Sequence, residues 1–125
     1  AAGTATLEEL REHSPYPQLE RHGAQLEDGF RHAALDNNIP VWIARVGSMM
    51  TMFFQNEPGG TPVTGWEIAS QSNTKRYATF FWEMIRQGIY MPCSQYEALF
   101  FSSMHTDDNI KKTVHAAHQA LSALK

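Results

Sequence analysis

The chain has 125 residues and a formal net charge of −3, with 42% hydrophobic and 18% charged residues. That length suits one domain able to bury a core, and the composition is ordinary for a soluble globular protein. No basic run points to nucleic acid or an anionic membrane, no apolar run approaches the ~20 residues of a bilayer span, and no charged-then-apolar leader marks secretion. Cys93 is the single cysteine, which excludes an internal disulfide and fits a reducing, cytoplasmic setting. Ala1 rather than Met opens the sequence, as expected of a piece cut from a longer chain.

The first helix is expected from Thr4 to about His13, with Thr6 as N-cap and Glu9 completing a capping box. Ser14-Pro15-Tyr16-Pro17 interrupts it, because proline cannot continue the hydrogen-bond ladder. A second helix runs from about Pro17 to Asp36, with Leu19, Leu26, Phe30, Ala33 and Ala34 on one face. Gly23 and Gly29 lower its propensity and allow close packing. Asp36-Asn37-Asn38 stops it.

Pro40 to Val46 and Met49 to Gln55 read as two strands joined at Gly47-Ser48, a hairpin. Asn56 to Pro62 is a surface loop by its turn residues. A third helix is expected from Glu67 to Gln87, with Tyr77, Phe80, Phe81, Met84 and Ile85 inward and Gly88 at its C-cap. Ile89–Met91 and Leu99–Ser102 read as short strands. Thr106 caps a last helix to about Leu124, with Asp107 and Asp108 at its positive end and Ile110, Val114, Ala117 and Leu121 on one face. The predicted fold class is α+β: a small antiparallel or mixed sheet with helices packed on one face, forming a single domain over residues 1–125.

Few residues carry a chemical signature. His115 and His118 sit three apart on the last helix and His105 precedes it, but no carboxylate or cysteine completes a ligand set; solvent-facing histidines and no metal are expected. Cys93 beside Ser94 lacks a marked base or oxyanion site, so a partly buried structural thiol is expected. Gly59-Gly60 is followed by Thr61-Pro62 instead of the lysine and hydroxyl of a phosphate loop. Lys75, Lys111, Lys112 and Lys125 lie among polar neighbours on helices, unlike a desolvated imine-forming lysine. Glu97 stands next to the apolar run Leu99-Phe100-Phe101, where a carboxylate must be exposed, paired or turned to a polar cavity. With Ser94, Gln95 and Tyr96 it forms a polar loop between apolar segments, the kind of place that holds a side chain at the edge of a site.

Ala2-Gly3-Thr4-Ala5-Thr6-Leu7, Val46-Gly47-Ser48-Met49 with Phe53-Phe54, and Arg76 to Phe81 leading to Gly88-Ile89-Tyr90 occur in a telling order. The segment Ser94-Gln95-Tyr96-Glu97-Ala98, followed by Ser102 and His105-Thr106, completes that order. Together these pieces resemble the C-terminal part of the glutamate-1-semialdehyde 2,1-aminomutases, class III pyridoxal-phosphate aminotransferases. The chain departs from that pattern at Pro92-Cys93, Tyr96, Leu99 and near Asn73, and its stretch Asn56 to Gly65 is longer.

The resemblance implies the small C-terminal domain of a fold-type I pyridoxal-phosphate enzyme that converts glutamate-1-semialdehyde to 5-aminolevulinate in tetrapyrrole biosynthesis. It implies a large cofactor-binding domain of the same enzyme as partner and a homodimer. Because the cofactor lysine belongs to that other domain, no cofactor binding and no catalytic residue are expected in this chain alone. Ser94, Gln95 and Glu97 are the substrate-binding candidates. In related aminotransferases an arginine at the position of Glu97 handles a substrate carboxylate, and the reversed charge suits an aminomutase. The alternatives are the same domain of another class III aminotransferase, or a non-catalytic interaction module.

Overall fold

The computed structural model describes residues 1–124; Lys125, expected on the last helix, lies outside them. The elements are α1 (Ala2–Glu12), α2 (Tyr16–Asp36), β1 (Val41–Val46), β2 (Met49–Phe54), α3 (Trp66–Ala69), α4 (Thr74–Arg86), β3 (Leu99–Phe100) and α5 (Asp107–Ser122). The sheet is antiparallel in the order β1-β2-β3. This is the expected α+β arrangement.

The hairpin follows from alternation. Met50, Met52 and Phe54 point from β2 into the core, and Ile43 does so from β1. The register pairs Val41 with Phe54 and Val46 with Met49. Gly47 makes the two-residue turn possible at φ 56°, a left-handed value that glycine adopts without strain. On the inner face, Phe30 of α2, Phe80 and Met84 of α4 and Leu121 of α5 are fully buried against Met50 and Phe54.

Helices α2 and α5 meet at Gly29, where a Cβ would stand 2.5 Å from Val114 Cγ2. At Gly23 a Cβ would stand 2.5 Å from the Gly47 carbonyl oxygen. Both glycines therefore serve close approach, as the sequence suggested. Helix α4 closes with paired backbone bonds, Gly88 N–H to Ile85 O and Ile89 N–H to Met84 O, with Gly88 at φ 77°. At the start of α5, the Thr106 hydroxyl accepts from Asn109 N–H while Asn109 Oδ1 accepts from Thr106 N–H.

Several expectations are corrected. Thr6 is not an N-cap: α1 begins at Ala2, a strong helix former, and the Thr6 hydroxyl donates to Ala2 O within the helix. The third helix is two helices. Ser70 and Gln71 donate their side chains to Glu67 O, competing with the helix ladder, and Asn73 starts α4 afresh by accepting from Arg76 N–H. Ile89–Met91 is not a strand, and β3 pairs only Leu99 and Phe100 with Met50 and Met49. The chain leaves α4 through the Gly88 turn and reaches the sheet edge only after the polar turn at 94–97.

Candidate functional site

The short β3 leaves the far end of β2 without a strand partner on that side, and the vacancy shapes the candidate site. Phe54 N–H, at the end of β2, donates instead to Gln95 Oε1 at 2.9 Å. Phe54 O accepts from Asn73 N–H at 2.7 Å, which ties the same residue to the start of α4. Gln95 is only 2% exposed, so its side chain substitutes inside the protein for a missing strand. Its Nε2 is also buried and has no partner among the described residues.

Around this anchor the chain turns sharply. Tyr96 N–H donates to Ser94 Oγ at 3.2 Å, and Glu97 N–H donates to Ser94 O at 3.1 Å. The Tyr96 ring meets Trp66 edge-on, with centroids 5.3 Å apart. Trp66, the first residue of α3, is 68% exposed and Tyr96 41%. Glu97 stands exposed, with no hydrogen bond or ion pair to its carboxylate among the described residues.

Beneath the turn, Tyr77 donates its hydroxyl to Pro92 O. Burial pushes the Tyr77 phenol well above its usual range, with the neighbouring Cys93 and Glu97 adding to the effect. Ser94, Gln95 and Glu97 are thus brought together, but in different settings: Ser94 shapes the turn, Gln95 anchors it within the core, and Glu97 is presented outward. Such a carboxylate can receive a cationic group without first breaking an ion pair.

The other candidates lie elsewhere. Cys93 is exposed, contrary to the expected partly buried thiol, because Pro92 turns the chain outward before Gln95 turns it back in. His105, His115 and His118 are exposed; His115 pairs with Gln119 and His118 with Asp36. No group of three or more metal-ligating residues occurs among the described residues. Near Gly59 and Gly60 the loop is tied down by Gln55 Nε2 donating to Thr61 O and Asn56 Nδ2 donating to Gln71 O. A groove of about 870 Å³ lies between α5 and residues 88–91 and does not include the 94–97 turn.

The described lysines do not suit an imine-forming role. Lys75, Lys111 and Lys112 are exposed, and a hydrogen bond from Lys112 to Asp108 pushes that ammonium's pKa up, the wrong direction for a nucleophile. Among the described residues, therefore, no lysine sits in the desolvated pocket that covalent attachment of pyridoxal phosphate requires. Sequence reading missed two residues. His22 is buried and bonded to Asp107, and Trp66 braces Tyr96. Both partnerships join residues far apart in the chain.

The fold has clear counterparts among solved structures. A transaminase with pyridoxal phosphate bound matches 90% of this chain and 24% of its own, with a TM-score of 0.69 at 14% identity. An omega-transaminase from Sphaerobacter thermophilus matches 89% of this chain and 24% of its own, with a TM-score of 0.70 at 14% identity. The fold is that of one part of the pyridoxal-phosphate transaminases.

Sequence comparison narrows the assignment. Glutamate-1-semialdehyde 2,1-aminomutase of Rhodopirellula baltica is 44% identical over 124 residues, covering 99% of this chain and 27% of the relative. The enzyme of the same name from Chloroherpeton thalassium is 40% identical over 97% of this chain and 27% of its own length. Glutamate-1-semialdehyde 2,1-aminomutase 2 of Bacillus anthracis is 42% identical over all of this chain and 28% of its own length. The chain belongs to the glutamate-1-semialdehyde 2,1-aminomutase family and spans about a quarter of the length of the curated relatives it matches. No protein-family model matches it.

Proposed function

We propose that this chain is the small C-terminal domain of a cytoplasmic, homodimeric aminomutase that converts glutamate-1-semialdehyde to 5-aminolevulinate. The carrying observation is the 44% identity along 99% of the chain, which takes in the 94–97 turn. Pyridoxal phosphate supplies the electron sink for moving the amino group, and the protein supplies orientation and electrostatics. The lysine that holds it belongs to the larger part of the polypeptide, in keeping with the exposed settings of Lys75, Lys111 and Lys112.

In this reading the turn is the domain's contribution to the substrate site. Glu97 offers an unpaired carboxylate to the substrate's amino group or to a cation of the large domain, while Ser94 and Gln95 shape its seat. A carboxylate repels the substrate's own carboxylate, which favours the amine-facing orientation. Helix α1 supports a larger partner domain: none of its residues is buried, and Leu7 stands exposed. The test is to express the full-length polypeptide carrying this chain and assay 5-aminolevulinate formation. Transfer of the amino group to an external keto acid without isomerisation would instead favour a general aminotransferase.

A further inference from the structure

Glu97 is held at the tip of a turn closed by two bonds to Ser94, one to its hydroxyl and one to its carbonyl. Two residues outside the tip fix that turn in space. Gln95 reaches inward to Phe54 N–H, across 41 positions of sequence. Trp66 packs outward against Tyr96, the residue immediately before Glu97.

Trp66 is mostly solvent-exposed, and its ring meets Tyr96 across the gap between α3 and the turn. Neighbouring bonds fix that gap. Asn73 and Asn56 join the α3–α4 connection to the end of β2, and Phe54 joins β2 both to Asn73 and to Gln95. A carboxylate that must meet a substrate atom gains from such a rigid seat, since a displacement of about 1 Å can cost on the order of a hundredfold in rate.

We propose that Trp66 and Gln95 are positioning residues that brace the Ser94–Glu97 turn from outside and inside, and so set where the Glu97 carboxylate meets the substrate. The proposal rests on the reading of Glu97 as substrate-facing. Gln95 acts from within the core and Trp66 from the surface, and neither touches the reacting atoms.

The test is a double-mutant cycle in the full-length enzyme, with hydrogen exchange measured on the same proteins. Trp66→Ala and Gln95→Met should each lower kcat/KM about tenfold when Glu97 is present, and by less than about twofold in a Glu97→Gln background. A purely structural role would give the same loss in both backgrounds. Millisecond exchange at the Tyr96 and Glu97 amides should quicken about tenfold in both variants. Trp66→Ala guards against misfolding of the core variant, because it removes an exposed ring. Additive losses, or wild-type kinetics with wild-type exchange in Trp66→Ala, overturn the proposal. If the unmodified enzyme forms no 5-aminolevulinate, the functional reading fails by itself. Exchange at the two amides then decides the brace: quickening supports it and unchanged exchange overturns it.

Discussion

The buried ring of His22 donates from Nε2 to Asp107 Oδ1 at 2.7 Å, joining α2 to the first turn of α5 across 85 positions of sequence. A carboxylate only accepts, so Nε2 carries the hydrogen; Nδ1 is buried without a partner among the described residues. The His22 bond holds the Asp107 carboxyl below its usual 3.8, and the nearby charge of Arg21 reinforces it.

A depressed carboxyl pKa makes a contribution to stability that is present above the unfolded value and lost as the pH falls through the folded one. Unfolding midpoints in urea, measured from about pH 2 to pH 6, should therefore fall at the acid end. Asp107→Asn should flatten that acid limb while lowering the midpoint at neutral pH. An acid limb of unchanged steepness in the variant would remove Asp107 from the account.

Tyr77 titrates in the opposite sense. Burial raises its pKa above the usual 10, so its contribution is complete below about pH 10 and is lost as the pH climbs through the raised value. Tyr77→Phe removes the bond to Pro92 O and should cost about 1 kcal/mol at neutral pH. The same change should soften the alkaline loss of stability. Thermal melts at neutral pH and in strong alkali read both effects.

Gly29→Ala should destabilise the α2–α5 contact, because the added methyl meets both Val114 methyl carbons at 2.5 and 2.6 Å. Overpacking of this kind costs about 1–3 kcal/mol, against about 1 kcal/mol of gained helix propensity. Gly3→Ala on α1 meets nothing within 4 Å and should be neutral or slightly stabilising. Chemical denaturation of the pair separates packing from propensity.

Glu97→Gln should leave the melting temperature of the domain almost unchanged, since an exposed charge contributes about 0–1 kcal/mol. On the proposed function, the same change should slow 5-aminolevulinate formation by the full-length polypeptide. A variant that melts far lower yet keeps normal kinetics would make Glu97 structural.

Helix α1 should exchange its amide hydrogens rapidly in the 125-residue chain, because an 11-residue helix with no buried residue is marginal in water. In the full-length protein the same amides should be protected. Equal protection in both would argue against a covering domain.

Apolar periodicity located α2, α5 and the body of α4 within one longer expected helix, and β-branched residues flanking Gly47-Ser48 located the β1–β2 hairpin. Local chemistry likewise gave Gly88 and Thr106, whose partners lie within a few residues. Tertiary structure decided the rest. It tied the break in the third helix to the end of β2, where Asn73 N–H donates to Phe54 O, and it cut β3 to two residues. That shortening turned Gln95 from a loop residue into a buried strand substitute. The partners of Gln95, His22 and Trp66 lie 41, 85 and 30 positions away, and no sequence period links residues that only folding brings together.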